Sequence, residues 1–305
     1  MQPVPEGTFV LDEARAWSLL RALSRTVRAR RRPLGRVGLS LDASGGPREV
    51  APQAGRVVLD AVRREVAFRG HPSFEVAELF DLYLPICLGG ARACFTFAHL
   101  GQSLDGQIAT ASGASRYVTG PENLRHMHRL RALSDAVLVG ASTVERDDPQ
   151  LTTRLVPGDN ALRVVVDPRL RLSPNHRVFQ DGAAPTLVVC AASAARGARR
   201  LGEAEIVPIE DANGELSPRA IVGALESRGV AWVFVEGGGI TVSRFLAARA
   251  LDRVQVTIGS VFVGSGRAGI VLPAIDDLGQ ALRPKTRRFL LGDDVLFDCE
   301  LRPEA

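Results

Sequence analysis

Four apolar runs do most to limit what this chain can fold into. Residues 136–139 (AVLV), 163–167 (RVVVD), 186–190 (TLVVC) and 231–235 (AWVFV) are hydrophobic stretches of strand length with almost no polar alternation. Strands of this kind are buried on both faces, the pattern of a parallel sheet covered by helices. Helix-start signals lie between them. Thr119 or Gly120 followed by Pro121 predicts a helix over 121–133, and Ser217 followed by Pro218 predicts one to about 227. A third opens after the glycines at 237–239 and extends to about 250. This alternation predicts an α/β fold with a mostly parallel sheet and helices on both faces. The ligand crevice then belongs at the carboxyl ends of the strands. Further strands are expected at 94–98, at 205–209 as a short edge, at 254–258, and at 295–301, where the sheet closes. Residues 99–106 and 264–269 read as glycine-bearing loops, and 191–200 as a short helix.

A chain of 305 residues accommodates one large domain, or one with a smaller companion. The composition shift at 89–92 (GGAR) is the best boundary. It divides an N-terminal extension, 1–90, from a main domain, 91–305. In the extension Asp12 caps a helix over 13–29, residues 37–42 form a short strand, 43–48 a turn region, and 75–84 another helix. Residues 57–62 read equally as a strand or a helix start. His71, beside Pro72, reads as a surface loop histidine.

Several classes of function are disfavoured. The arginine run at 28–32 reads as a solvated helix end, because no zinc-finger spacing or interleaved aromatics accompany it, so no nucleic-acid partner is expected. The net charge of +4 suits a small anionic substrate. Cys87, Cys94, Cys190 and Cys299 form no CxxC pair and read as buried thiols. His126 and His128 read as surface or core-edge residues, and no metal site is expected. No signal peptide and no 18-residue apolar stretch is visible, so a cytoplasmic protein without a membrane partner is expected.

Two stretches carry chemistry. In 135–154 (DAVLVGASTVERDDPQLTTR) a buried strand ends at Gly140 and gives way to small and polar residues. In 236–239 (EGGG) a strand hands over to a helix, whose free backbone N–H groups and positive end can receive phosphate. Neither GxGxxG nor GxxxxGK[ST] is present there. Ser115, Arg131, Arg154 and Glu236 make a plausible second set, since arginines grip phosphate bidentately. Ser103 lacks a nucleophile-elbow context, and no acid–base–nucleophile trio stands out. That lack favours hydride transfer, which needs mainly orientation of donor and acceptor.

The segments GQSLDGQIAT, GASRYVTGPE, LRALSDAVLVGASTVERDDPQLTTR, RVVVD and VFVEGGG together resemble the reductase domain of bifunctional riboflavin-biosynthesis deaminase/reductases, over about 92–303. The resemblance implies a dihydrofolate-reductase-like fold, a homodimer and NADPH as cofactor. It implies reduction of the ribosyl group of a 5-amino-6-(5-phosphoribosylamino)uracil-type substrate to ribityl. By motif, Gly101, Tyr117, Thr143, Asp147 and the segment Gly238, Gly239, Ile240, Thr241, Val242, Ser243 and Arg244 fall where the family contacts the cofactor. Ser115, Arg131, Leu151 and Arg154 fall where it holds the phosphoribosyl substrate, with both arginines as phosphate ligands. Glu236 is expected beside C1′, so Asp147 and Glu236 are the candidate catalytic residues. Three departures stand out. Gln107 replaces a usual Lys or Arg, Tyr117 replaces a common Trp, and the first ninety residues lack the HAE and PCxxC of a zinc deaminase. The chain is therefore not expected to deaminate. A reductase of another pyrimidine, pterin or carbonyl/imine compound and a non-catalytic nucleotide-binding protein are the alternative readings.

Overall fold

The computed structural model describes residues 11–30, 35–42, 46–89, 93–210 and 215–301. Parts of the arginine run (31–32), of the turn at 43–48 (43–45) and of the boundary at 89–92 (90–92) lie outside the described residues. The chain divides into two compact units, Met1–Ala91 and Arg92–Ala305.

In the first unit α1 (Glu13–Arg30) starts where the Asp12 carboxylate accepts the Arg15 N–H at 2.8 Å. Strands β1 (Arg36–Leu41), β2 (Pro47–Val50), β3 (Val57–Asp60) and β4 (Glu65–Phe68) form an antiparallel sheet in the order β2-β1-β3-β4. Residues 57–60 are thus a strand, with Val57 and Leu59 buried and their neighbours half-buried. Helix α2 (Phe74–Leu88) is capped by Ser73, whose Oγ accepts the Val76 N–H. It packs on α1, with Trp17 and Tyr83 meeting edge to face at 5.6 Å.

The second unit begins with β5 (Phe95–Ser103), β6 (Gln107–Thr110), α3 (Pro121–Ala132), β7 (Ala136–Gly140), α4 (Ala141–Asp147) and β8 (Leu162–Val166). Next come β9 (Thr186–Ala191), α5 (Ala192–Ala195), β10 (Arg200–Leu201), β11 (Ala204–Ile209), α6 (Pro218–Glu226), β12 (Trp232–Val235) and α7 (Gly239–Ala247). Strands β13 (Arg253–Gly259), β14 (Gly266–Ala268), β15 (Lys285–Leu291) and β16 (Asp294–Glu300) complete it. Ten of the strands form one sheet in the order β10-β11-β9-β8-β7-β12-β5-β13-β16-β15. From β11 to β13 all neighbours run parallel, and the antiparallel pairs are at the two edges. The fold is α/β with a mixed, mostly parallel sheet. The four apolar runs are its middle, and Val137, Leu138, Val164, Val188, Val233 and Phe234 are all fully buried.

Several local expectations are corrected. Residues 99–103 continue β5, because the polar groups in that stretch find partners: His99 Nε2 lies 3.0 Å from Thr257 Oγ1 on β13. The predicted helix over 191–200 is only the four residues of α5, and Arg200 already belongs to β10. That two-residue strand displaces residues 205–209 from the sheet edge. Residues 295–301 do not close the sheet, since β15 lies outside β16. The loop at 264–269 contains β14, which pairs with β6 as a separate ribbon. Cys299 is half-buried, whereas the other three thiols are buried. Helix α4, absent from the sequence reading, follows Gly140 directly.

Candidate active site

Strand β12 ends between β7 and β5, and the residues after it carry both halves of the site. The Glu236 N–H still bonds Leu138 O at 2.9 Å, which extends the ladder by one residue and fixes where its carboxylate starts. Arg131, near the end of α3, meets that carboxylate bidentately: Nε donates to Oε2 at 2.6 Å and Nη2 to Oε1. Its Nη1 donates to Thr152 O at 2.8 Å. Both side chains are nearly withdrawn from water, at 8% and 12% exposure. Burial works against the Arg131 charge, but Glu236 raises the guanidinium pKa above its ordinary value.

Thr152 is shared. Its hydroxyl accepts from Arg154 Nη1 at 2.8 Å, and the Arg154 N–H donates to His128 Nδ1 at 2.9 Å. His128 is therefore a buried acceptor, not a surface residue; burial first, then Arg131 and Arg154, lower its pKa to about 4. His126 is also buried, with Nε2 2.9 Å from Gln255 Oε1. Both were expected at the surface or core edge, but Gln255 on β13 meets the His126 ring and the Arg154 N–H in the loop after α4 meets His128. The turn leading to Thr152 uses left-handed backbone at Asp148 (φ 38°) and Leu151 (φ 55°), and Leu151 is buried. Ser115 is exposed on the loop between β6 and α3 and makes no hydrogen bond to Arg131, Arg154 or Glu236.

The other half is made of backbone. Helix α7 starts at Gly239 with Gly238 as its N-cap and no side-chain cap bond, so its first N–H groups are available to an anion. Thr143 of α4 joins this turn by accepting the Gly238 N–H at 3.3 Å. A Cβ at 239 would lie 2.0 Å from Gly269 O, and one at 140 would lie 2.6 Å from Thr241 Oγ1. These glycines therefore let three chain segments close together. Ile240, Thr241 and Arg244 line a cavity of about 430 Å³ with Gly140, Asp167 and Arg169. Val242 is fully buried and Ser243 accepts the Val271 N–H at 2.8 Å, so those two side chains face away from that cavity. Val242 lies on the sheet side, and Ser243 faces the segment after β14.

Asp147 ends α4. It is exposed as a residue, yet the protein around its carboxyl raises its pKa, opposed by Arg146 and Arg267. Gly101 pairs with Thr257 in the sheet, and a Cβ there would be 3.0 Å from Thr119 Cγ2. Tyr117 is 93% exposed, with φ 68°. Gln107 folds back, its Nε2 donating to Asp105 O at 3.1 Å. The sequence reading missed Thr152, Asp167 and Arg169. Asp167 was legible as an acidic strand end; it is buried, with Oδ1 unpartnered and Oδ2 accepting the Leu172 N–H. Among the described residues no three His, Cys, Asp or Glu side chains gather as a metal site, and no helix is long and apolar enough to cross a membrane.

Residues 94–287 match the family model described as the RibD C-terminal domain. The 2,5-diamino-6-ribosylamino-4(3H)-pyrimidinone 5′-phosphate reductase of Methanothermobacter thermautotrophicus is 35% identical over 216 residues, covering 68% of this chain and 98% of that protein. Among solved structures, the diaminohydroxyphosphoribosylaminopyrimidine deaminase/5-amino-6-(5-phosphoribosylamino)uracil reductase of Thermotoga maritima superposes with a TM-score of 0.60 at 27% identity. That match covers 75% of this chain and 62% of the other. A riboflavin biosynthesis reductase of Saccharomyces cerevisiae shares the fold, with a TM-score of 0.60 at 22% identity over 75% of this chain and all of the other.

Proposed function

The chain belongs to the RibD C-terminal domain family, and on that premise we propose that it is an NADPH-dependent reductase of riboflavin biosynthesis, converting the ribosyl group of a phosphoribosylaminopyrimidine to ribityl. The observation that carries this reading is the turn after β12. A carboxylate anchored by Arg131 stands there three residues before an uncapped helix start.

The residues fit a dinucleotide. The α7 N-terminus and the glycine-lined turn would hold its phosphates, and the adjoining cavity offers Arg169, and Arg244 in its ion pair with Glu215, to its far end. NADPH, when bound, supplies a hydride. The reduction adds that hydride to C1′, breaks the bond from C1′ to the ring oxygen, and places a proton on that oxygen. Glu236 faces C1′ with a negative charge that favours the electron-poor carbon. Arg131 holds the carboxylate at one angle, and the buried pair excludes water from that side. Thr143 locks the cofactor turn to α4, and Asp147 orients ribose and cofactor.

Two substrates of this class deserve separate assays. One is the aminouracil. The other is the 2,5-diaminopyrimidinone that names the Methanothermobacter relative, whose length this chain covers almost entirely. NADPH oxidation is measured with each, with a dihydropterin and without substrate, and again with NADH. Turnover of either ribosylaminopyrimidine phosphate is expected, with none of the pterin. Turnover of the pterin alone would move the protein to another pathway, and no NADPH binding at all would leave a nucleotide-independent role. A homodimer is part of the proposal. Exposed apolar side chains along 262–290, among them Phe262 at 75% and Leu278 at 73%, support a covered face. Sedimentation at twice the monomer mass is the expected result.

A further inference from the structure

Between α3 and strands β5 and β13 lies a chain of polar side chains withdrawn from water. His99, Asn123 and Thr257 are at most 4% exposed. Asn123 bridges two threonines: its Nδ2 donates to Thr119 Oγ1 at 2.9 Å, and its Oδ1 accepts from Thr257 Oγ1 at 2.8 Å. With that amide orientation the direction of every link follows from donor and acceptor counts. The single hydroxyl hydrogen of Thr257 is spent on Asn123, so Thr257 Oγ1 accepts from His99 Nε2, 3.0 Å away. His99 is neutral, because burial lowers its pKa to about 4, and it is therefore the Nε2–H tautomer. All the donors run one way, from His99 through Thr257 and Asn123 to Thr119.

The far end of the chain is unspent. Thr119 Oγ1 receives the Asn123 donor, and its own hydrogen has no acceptor among the described residues. Thr119 is only half-buried. Its place is fixed: the next residue, Gly120, donates its N–H to Asp294 Oδ2 at 2.6 Å. Its hydroxyl stands against Gly101, where a Cβ would lie 3.2 Å from Thr119 Oγ1 and 3.3 Å from Asn123 Nδ2. Gly101 in turn lies beyond the last pair that β5 makes with β12, Ala98 with Val235. Strand β5 thus runs on past the end of β12, beside the turn that carries Glu236 and Gly238. That crevice at the strand ends is where a sheet of this kind holds its ligand.

We propose that Thr119 is a further cofactor-binding residue, donating its hydroxyl hydrogen to the carboxamide oxygen of the nicotinamide, and that Asn123 is a positioning residue that keeps this hydrogen free for the ligand. The assignment rests on the NADPH reading of the site. The carboxamide carries the acceptor of the reacting ring, and holding it fixes how the ring is turned toward C1′. Thr119 entered the sequence reading only as a candidate helix cap, a place that Gly120 takes.

The test uses the full chain and reads binding by calorimetry with NADPH and with 2′,5′-ADP, which carries the adenine end of the cofactor and no nicotinamide. Thr119→Val is expected to weaken NADPH about three- to tenfold and to leave 2′,5′-ADP within about twofold. Thr119→Ser keeps the hydroxyl and should bind NADPH within about twofold of wild type. Asn123→Asp is the sharper variant. It keeps the shape and the bond from Thr257, but it offers Thr119 an acceptor in place of a donor. The Thr119 hydrogen then turns inward, and NADPH should weaken as in Thr119→Val while 2′,5′-ADP holds. Equal loss of both ligands in either variant overturns the proposal, and so does an Asn123→Asp protein that binds NADPH as wild type does. Wild-type protein that binds neither ligand overturns the NADPH reading and the assignment with it. Wild-type binding that Thr119→Val leaves unchanged overturns the assignment alone.

Discussion

The two halves of the site are built from opposite materials. On the substrate side, long side chains are locked: Arg131, Glu236, Thr152, Arg154 and His128 form one connected set of hydrogen bonds. On the proposed cofactor side, the work is done by backbone, with glycines at 140, 237 and 239 letting β7, the turn after β12 and the end of β14 close on α7. The difference separates two sources of specificity. The substrate half depends on which polar atoms are present, and the cofactor half on which atoms are absent. Removing a group should therefore damage the first, and adding one should damage the second.

The largest effect is expected from Glu236→Ala. It leaves the buried Arg131 guanidinium without its partner, at a cost of about 3–5 kcal/mol of stability. Denaturant unfolding checks this, and Arg131→Met/Glu236→Leu should recover much of the loss. If the single and double variants unfold alike, the pair is not the anchor of the substrate half.

Acid should come next. Burial lowers the His99 pKa to about 4, and His128 stands at about the same value. An unfolded histidine titrates near 6.5, so between about pH 6.5 and about pH 4 the unfolded chain binds more protons than the folded one. Stability is full above that window, falls as pH drops through it, and levels off below. His99 alone contributes up to about 3 kcal/mol to the fall. His99→Gln should flatten the slope measured by urea unfolding between pH 7 and pH 4.

Gly239→Ala tests the other half. Its methyl group meets the carbonyls of Gly269 and Ala268, which are backbone and yield little. A loss of about 1–3 kcal/mol is expected, with NADPH affinity reduced more than affinity for ribose 5-phosphate. Equal loss of both ligands would break the division between the halves. The smallest effect belongs to Tyr117→Phe, which keeps the ring at an exposed site. Stability should stay within about 0.5 kcal/mol, and the KM for NADPH within about threefold.

Legibility in the sequence followed burial. The strands β7, β8, β9 and β12 were plain because both faces are covered, which leaves uninterrupted apolar letters. The edge strand β15 reads KTRRFLL, with charged residues outward and only Phe289 buried, so it carries no such run. Helix α4 was hidden by its length of seven residues, too short for a periodic pattern. The second half of β5 was mistaken for a loop because His99, Gln102 and Ser103 look solvated until neighbours supply their partners. In the site, Glu236, Arg131 and Arg154 were each singled out by motif. Their connection was not: the Arg131–Glu236 contact spans 105 positions, and Thr152 serves Arg131 through a carbonyl that any residue possesses.

Strand β12 is only four residues long, with a fully formed strand on either side. Glu236 and Gly238 hang from its end two residues apart, one on each half of the proposed site. In the proposed reading, the spacing between the reacting partners is thus set by one short turn at the end of a central strand. On that reading it works as a gauge, because the Glu236 N–H is still tied to Leu138 O and the Gly238 N–H to Thr143 Oγ1. Substitutions elsewhere can loosen either ligand, but they cannot easily change how far apart the two are held.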